Sequence, residues 1–261
     1  MRNLGGKPQN RKTLSRPARR SIKGHVSGWA RLRAMPTPTR PIDAALLSGE
    51  ALYREVIQEK LLHARESVDI ATANVKAMFI ESAGEMVPNG TSSKRNHHRM
   101  EPSRFGTIVK QFAALAARGV RLRLLHAETP SRPFRNAFDA ESRLVSGGLA
   151  LRLCPRVHFK AVIVDGAWIY LGSANLTGAG LGAKGEHKRN FELGFVTEDF
   201  EVIDRAGALF ESVWSGAECG PCKLRAVCPD PQGEPPRKSK RGRSAGRGSL
   251  IQLGRTRRLR R

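Results

Sequence analysis

Apolar residues recur at helical spacing over residues 42–65, and this pattern predicts a first helix. Residues 67–75 are dominated by apolar, β-forming side chains and predict a buried strand. Residues 105–118 predict a second helix, closed by Gly119 as its C-cap, and residues 120–126 predict another strand. The order helix, strand, helix, strand predicts an α/β sheet with parallel crossovers.

Two β-rich runs flank Asp165-Gly166, a dipeptide that is typical of a two-residue hairpin turn. In the simplest register for such a turn, Val164 lies opposite Ala167, and His158 lies opposite Ser173. Because side chains alternate along a strand, this register places four polar side chains on one face of the hairpin: His158, Lys160, Ser173 and Asn175. A slip of one residue would separate them.

These four side chains suit an attack on a phosphodiester. Lys160 and Asn175 are donors for phosphate oxygens, and the Lys160 ammonium also brings a positive charge. His158 is able to act as a nucleophile, or as an acid and base, near neutral pH. The run contains no pair of carboxylates of the kind that holds magnesium. The sequence therefore predicts catalysis that requires no metal cofactor.

The same run, His158-x-Lys160-x4-Asp165-x6-Gly172-Ser173-x-Asn175, resembles the HxKx4Dx6GSxN signature of the phospholipase D superfamily at every position. The likeness extends over about residues 45–215 and includes Asn190-Phe191-Glu192. It implies an α/β fold, with a mixed sheet flanked by helices, and a phosphodiesterase activity. Asp165 belongs to the signature, although its place in the turn favours a structural role.

The resemblance also implies a role for each of the other polar residues. His158 would attack phosphorus and form a phosphohistidine. Lys160 and Asn175 would hold the non-bridging oxygens and stabilise their developing charge. Ser173 would add a hydrogen bond or orient its neighbours. Glu192 would fix the tautomer of the histidine, as the acid of a catalytic triad does.

The chain carries a single copy of this motif. Members of the superfamily with two copies use the second histidine to protonate the leaving group. His126 does not start a second copy, because Glu128 stands where the lysine would be. Single-motif members form one active site across a two-fold dimer. The resemblance therefore implies a homodimer in which the two His158 side chains face each other.

Charge divides the chain into a nearly neutral centre and two basic ends. Of the net charge of +23, residues 1–40 carry +11 and residues 233–261 carry +10. Both ends are rich in Arg, Lys, Ser, Gly and Pro, and we expect them to be disordered. They suit sequence-independent contact with the phosphates of nucleic acid or of an anionic membrane surface. The alternative is that they are merely solvated ends.

This distribution predicts four regions: a basic tail (1–40), a catalytic domain (41–215), a Cys-rich metal-binding segment (216–230) and a second basic tail (231–261). No apolar run is long enough for a transmembrane segment. No secretory signal follows the basic N-terminus. We therefore expect a cytoplasmic protein, in which the cysteines are thiols or metal ligands.

The cysteines form a second candidate site. Cys219-x2-Cys222-x5-Cys228 follows Trp214, and Cys154 comes directly after a predicted strand over residues 149–153. A straight strand would place Cys154 roughly 13 Å from His158. Four thiolates suit a structural [4Fe–4S] cluster or Zn²⁺, and free or partly paired thiols are the third alternative. The spacing is similar to the iron–sulfur staple of certain helicase-associated nucleases, which have a different fold.

Three functions are compatible with these features. A nuclease on DNA or RNA is favoured by the motif together with the basic tails. A phospholipid hydrolase or phosphatidyl transferase, similar to phospholipase D or cardiolipin synthase, shares the chemistry, but no amphipathic membrane anchor stands out. A nucleic-acid binder without activity is the third, and it is disfavoured because every position of the motif is intact.

Overall fold

The computed structural model describes residues 40–81 and 105–233 of the chain. Except for a few residues at their inner ends, the two basic tails lie outside this described part, and residues 82–104 lie outside it as well. The expected disorder of the tails and the proposed division into four regions therefore stay predictions. None of the helices in the described ranges is long and apolar enough to cross a membrane.

Nine strands occur in the described ranges: β1 (Ala45–Ser48), β2 (Ser67–Thr72), β3 (Phe79–Glu81), β4 (Phe105–Thr107), β5 (Arg121–His126), β6 (Leu149–Leu153), β7 (Lys160–Val164), β8 (Trp168–Gly172) and β9 (Leu193–Thr197). β3 and β4 pair with each other. The other seven form one mixed sheet in the order β1-β9-β8-β7-β2-β5-β6. β2, β5 and β6 are parallel, and the strands from β2 to β1 pair antiparallel.

Four helices accompany the sheet. α1 (residues 50–63) changes its winding along its length, from α-helical (Glu50–Leu52) to π-helical (Tyr53–Lys60) and finally to a 3₁₀ turn (Leu61–His63). The others are α2 (Ile108–Ala117), α3 (Arg132–Asp139) and α4 (Phe200–Trp214). Short helical turns occur at Leu144–Gly148, Glu186–Lys188 and Arg225–Val227.

Helices cover both faces of the large sheet. On one face, the apolar residues of α1 and α2 share a core with Val162 and Tyr170 of the hairpin. On the other face, α4 packs against Ala161 and Ile163. Because alternate residues of β7 belong to the two cores, this strand is buried at every position. The fold is therefore α/β, with a mixed sheet flanked by helices, as expected.

The first predicted helix, over residues 42–65, begins too early. Its first part instead forms β1, which pairs with β9 and places Leu46 opposite Phe195. The chain leaves this strand at Gly49, whose φ of 56° favours glycine, and α1 begins at the next residue. The apolar spacing of 42–49 suits a helix locally, but the distant partner β9 makes it a strand.

The second predicted helix also begins later than expected. Its first three residues form β4, and α2 begins at Ile108, where the Thr107 side chain accepts a hydrogen bond from the Lys110 N–H. Its predicted end is confirmed. Gly119 has a φ of 85°, and its N–H donates to the carbonyl of Ala116 at 3.1 Å.

The β7–β8 hairpin turns at the predicted place. Asp165 and Gly166 have positive φ values of 54° and 63°, as in the turns that favour this dipeptide. The Ala167 N–H donates to the Val164 carbonyl at 3.0 Å. The turn chemistry of the sequence therefore identifies the hairpin correctly.

The predicted register of this hairpin is wrong by one residue. Lys160 pairs with Gly172, and neither His158 nor Ser173 belongs to the ladder. The loop holds a third residue, Ala167, before β8 begins. This extra residue shifts every cross-strand partner, so the four polar side chains do not share one face of the hairpin.

The Asp165 carboxylate fastens the tip of the hairpin to the start of β2. It accepts hydrogen bonds of 2.7–3.2 Å from the backbone N–H groups of Arg65, Glu66 and Ser67. Burial acts to raise the pKa of this carboxyl, but the three backbone donors outweigh burial and hold the pKa below its usual value. These contacts support a structural role for Asp165.

Replacing this carboxylate should weaken the fold. Asp165→Asn should destabilise the protein by about 1–2 kcal/mol at pH 7, because a neutral amide accepts weaker hydrogen bonds than a carboxylate. Asparagine tolerates the left-handed backbone, so the substitution isolates the charge. The lowered folded-state pKa stabilises the native state above the unfolded pKa, and this contribution is lost as the pH falls through the folded pKa. The difference in unfolding free energy, measured with urea, should therefore shrink below about pH 4.

The matched control for this prediction is Asp139→Asn, at the exposed end of α3, which should leave the stability unchanged. Equal stability of wild type and Asp165→Asn at pH 7 would show that the carboxylate does not hold the hairpin.

Candidate active site

The predicted site residues gather at one edge of the large sheet. β2, β5 and β6 are parallel, so they end at the same end of the sheet. Their last residues are Thr72, His126 and Leu153. β7 runs antiparallel to β2 and therefore begins at this edge, with Lys160. The carboxyl ends of parallel strands are where open α/β sheets bind ligands. We call this end of the sheet, where the parallel strands finish, the active-site edge.

Lys160 brings an almost buried positive charge to the active-site edge. The residue is only 9% exposed, and its Nζ donates to the carbonyl oxygen of His158 at 2.7 Å. No carboxylate within residues 40–81 and 105–233 forms an ion pair with it. A buried ammonium is costly without an anionic partner, and two of its three donors are not used here. Lys160 therefore has the charge and the donors to bind an anion.

Asn175 ties the loop after β8 to the end of β2. Its side-chain oxygen accepts hydrogen bonds from the backbone N–H groups of Ala73 and Asn74, both at 3.1 Å, and lies 3.2 Å from the Thr72 hydroxyl. The same hydroxyl accepts from the Leu176 N–H at 3.1 Å. Because the oxygen is occupied, the amide NH₂ group of Asn175 is the part that is left for a ligand.

Ser173 and Glu192 join the end of β8 to the start of β9. The Ser173 hydroxyl donates to the Glu192 carboxylate and accepts from the Leu193 N–H at 3.1 Å. Asn190 donates to the other oxygen of the same carboxylate at 3.0 Å. Ser173 thus contacts Glu192, and its role in the reaction stays a prediction.

His158 stands apart from these contacts. It is exposed, it precedes the first residue of β7, and its ring has no hydrogen-bond partner in the part of the chain that the structure describes. The expected contact with Glu192 is not formed within one chain, because Ser173 and Asn190 engage that carboxylate instead. The structure therefore brings Lys160 and His158 together through a backbone carbonyl, and Glu192 remains separate.

The chain does not run straight from Cys154 to His158. β6 ends at Leu153, and the chain then turns, with the Val157 N–H donating to the Cys154 carbonyl at 2.9 Å. Pro155 lies inside this turn and has no N–H to offer a neighbouring strand. The separation of roughly 13 Å between the two residues, which assumed a straight strand, therefore does not apply.

Gly172 of the motif is required by close packing. A Cβ at this position would lie 2.7 Å from the Gly194 Cα and would overlap the Tyr170 hydroxyl. Tyr170 is fully buried, and its hydroxyl accepts from the Ala174 N–H at 3.2 Å. Burial, and to a lesser extent the nearby Glu192 carboxylate, raise the pKa of this hydroxyl, which keeps it neutral. The glycine thus lets β8 and β9 approach around a buried tyrosine.

His126, which does not start a second motif, is buried. It is 4% exposed at the end of β5, and its Nδ1 lies 2.8 Å from the Glu128 carbonyl oxygen. Burial lowers the pKa of the imidazole and outweighs this hydrogen bond. His126 is thus a buried histidine that is held by its own loop.

A cavity at the active-site edge escaped the sequence analysis. It has a volume of about 210 Å³, and two lysines with exposed side chains, Lys76 and Lys184, line it together with the side chains of Asn74, Asn175 and Asn190. The two lysines come from loops that are distant in sequence, and no local motif connects them. Only the three-dimensional fold shows that they flank the motif asparagine.

All four cysteines line a further cavity of about 280 Å³, which His158 also borders. Within the described ranges, however, no three His, Cys, Asp or Glu side chains are arranged closely enough to hold a single metal ion. The structure thus places Cys154, Cys219, Cys222 and Cys228 around a shared space without forming a mononuclear site.

Residues 100–214 match the family model described as the phospholipase D-like domain of cardiolipin synthase. This range includes the whole motif from His158 to Asn175, and Glu192 as well. Residues 100–214 therefore form a phospholipase D-like domain. Among curated proteins, none is similar enough in sequence to count as a match.

Three solved structures show a distant likeness to this phospholipase D-like chain. Nuc, a phospholipase D family member from Salmonella typhimurium, is 18% identical with a TM-score of 0.44, over 66% of this chain and 95% of Nuc. NucT from Helicobacter pylori is 16% identical with a TM-score of 0.43, over 67% and 96%. TrmBL2, an archaeal chromatin protein, is 14% identical with a TM-score of 0.40, over 68% and 54%.

The packing around the motif glycine leads to a stability prediction. Gly172→Ala should destabilise the protein by about 1–3 kcal/mol, because the new methyl group forces Tyr170 or β9 to move. The measurement is the free energy of unfolding in urea. Gly207→Ala is the matched control, since a Cβ at that position of α4 meets nothing within 4 Å. It should be neutral or stabilising by up to about 1 kcal/mol. Equal effects of the two substitutions would contradict the packing argument.

Proposed function

We propose that this phospholipase D-like chain is a phosphodiesterase that cleaves nucleic acid through a phosphohistidine formed on His158. The observation that carries the proposal is the buried Lys160 ammonium, which has no anionic partner in the described ranges and donates to the backbone of an exposed histidine. A scissile phosphate is an anion that would occupy this place directly beside a nucleophile.

The scissile phosphate is held by Lys160 and Asn175 in this proposal. The ammonium and the amide NH₂ group donate to the two non-bridging oxygens, whose charge increases when phosphorus is attacked. Because Lys160 is almost buried, water screens its charge only weakly, and each interaction is stronger than it would be in solution. The lysine supplies the positive charge, so the proposed reaction requires no metal ion.

The reaction then proceeds in two displacements. A ring nitrogen of His158 attacks phosphorus, and the bond between phosphorus and the leaving oxygen breaks, while that oxygen takes a proton from a general acid. Water next attacks the phosphohistidine, the phosphorus–nitrogen bond breaks, and the imidazole is regenerated. A second histidine suits both proton transfers, since it donates a proton in the first step and accepts one in the second.

We propose that the second histidine is His158 of another copy, in a homodimer. The chain has one motif, and its histidine is exposed. Phe191 and Leu193, on either side of Glu192, are also exposed, and Phe191 is completely so. Exposed apolar side chains beside a residue of the proposed site are typical of a surface that another chain covers. Such a dimer would complete the site and bury both residues.

Nucleic acid is the substrate that the charges favour. A polynucleotide carries a phosphate on each side of the scissile one, and Lys76 and Lys184 line a cavity next to Asn175 in which a neighbouring phosphate would be neutralised. A phosphatidylcholine headgroup has no second phosphate for these lysines. The basic tails would add sequence-independent contacts with the same polymer. A cytoplasmic location would give the protein access to nucleic acid.

The nucleophile is tested by substitution. His158→Ala should abolish phosphodiesterase activity, and Lys160→Ala should lower kcat/KM by about a hundredfold or more, which corresponds to roughly 3 kcal/mol of transition-state stabilisation. Activity is measured in EDTA on single-stranded DNA, on RNA and on phosphatidylcholine vesicles. His187→Ala, in the exposed Glu186–Lys188 turn, is the matched control and should keep full activity.

The alternatives predict different results in the same assays. Hydrolysis of vesicles without cleavage of either nucleic acid would favour a phospholipid hydrolase. Tight binding of DNA or RNA without cleavage would favour a binder that lacks activity. Full nuclease activity in a folded His158→Ala protein would refute the phosphohistidine mechanism.

Replacing Lys76 and Lys184 tests whether they bind a phosphate next to the scissile one. A Lys76→Ala and Lys184→Ala double variant should lower kcat/KM on an oligonucleotide by about tenfold, because two charge-assisted contacts are lost. Hydrolysis of bis-p-nitrophenyl phosphate, which has one phosphate, should not change. Lys188→Ala is the control, since this exposed lysine does not line the cavity. Equal losses on both substrates would show that the lysines act on the scissile phosphate or on the fold instead.

A further inference from the structure

The four cysteines of the chain come from two separate parts of the sequence, yet they line one cavity. Cys154 lies in the turn after β6, and the others lie in the segment of residues 216–233, which follows α4. The chain has four cysteines in all, so none is left elsewhere. Convergence of every thiol on a space of about 280 Å³ indicates that the thiols share a ligand.

The backbone of the segment after α4 presents its cysteines at regular intervals. The Cys222 N–H donates to the Cys219 carbonyl at 3.3 Å, the Arg225 N–H to the Cys222 carbonyl at 3.1 Å, and the Cys228 N–H to the Arg225 carbonyl at 3.4 Å. These turns repeat every third residue. Side chains three residues apart in such turns point to the same side, which brings the three thiols to the cavity.

The same segment has little else to hold it in place. Its regular structure is limited to the three-residue turn Arg225–Val227, and no residue from 215 to 233 is buried. Its links to the sheet include a hydrogen bond from the Leu153 N–H to Asp230 at 3.1 Å and an ion pair between Arg152 and Asp230 at 3.9 Å. A segment that buries so little apolar surface needs another source of stability, and a metal bound to thiolates is the usual one in small units.

We propose that Cys154, Cys219, Cys222 and Cys228 together bind one metal centre, and that this centre is an iron–sulfur cluster. A single zinc ion holds its thiolates about 2.3 Å away, so the four sulfurs would be only about 3.8 Å from one another. The described side chains contain no group close enough for a single ion. In a cluster each thiolate binds a different iron, so the sulfurs stand farther apart around a space like this cavity.

The position of the centre gives it a structural role. The turn that carries Cys154 leads within four residues to His158, and both residues border the same cavity. A cluster there would fasten the segment after α4 to the turn before the proposed nucleophile. Its action on the reaction would be to position that turn, and no electron transfer is required.

The full chain, purified without oxygen, tests the proposal directly. We expect brown protein with broad visible absorbance, and iron and acid-labile sulfide in equal amounts, about four of each per chain for a [4Fe–4S] cluster. Cys219→Ser and Cys154→Ser should each lose most of the iron. Lys223→Ala, an exposed substitution between two of the cysteines, is the matched control and should retain it.

A cysteine variant that fails to fold would also lose its iron. A second measurement therefore uses the wild-type chain. Limited proteolysis before and after removal of the metal should show faster cleavage within residues 216–233 of the metal-free protein. Colourless protein with one zinc per chain would overturn the assignment to a cluster while supporting the four-thiolate site. Protein without bound metal, with all four cysteines as free thiols or disulfides by mass spectrometry, would overturn the whole proposal.

Discussion

The antiparallel pairing of β7 with β2 joins the two halves of the sheet, and the position of the active-site residues depends on this pair. β2 belongs to the parallel half, whose strands end at the active-site edge, and β7 begins at that edge. Ala71 pairs with Ala161, so the register continued by one residue brings Thr72 opposite Lys160. Asn175 then bonds to the end of β2. A different register between β7 and β2 would separate the Lys160 ammonium from the Asn175 amide.

The residues of the candidate site could be found from the sequence because they are close together in it. His158, Lys160, Ser173 and Asn175 lie in or next to one hairpin, and the Asp165-Gly166 turn identifies that hairpin. The register of the hairpin could not be predicted correctly from the sequence. The dipeptide predicts a turn but does not reveal that Ala167 extends the loop, and this one residue decides which side chains share a face. The sequence also does not indicate that Glu192 contacts Ser173 and Asn190 rather than His158.

Other errors have the same origin in distant contacts. The apolar residues over 42–49 have helical spacing, but β9 converts their centre into an edge strand. Lys76 and Lys184 flank Asn175 only because two loops meet after folding. For the cysteines, the spacing in the sequence indicates that Cys219, Cys222 and Cys228 act together. The turn at Pro155 and the cavity that these thiols share with Cys154 became visible only in three dimensions.

Asp165 and Lys160 occupy opposite ends of the same strand, roughly 16 Å apart. One end is anchored to the start of β2 by a carboxylate, and the other end carries the charge that binds the anion in the proposed reaction. The stability of the hairpin and the proposed binding of an anion therefore depend on different residues. In evolution, the loops around the lysine could change while the aspartate preserved the hairpin. Directed evolution of this protein would accordingly begin with libraries in the loops around Lys76 and Lys184, and would leave the aspartate turn unchanged.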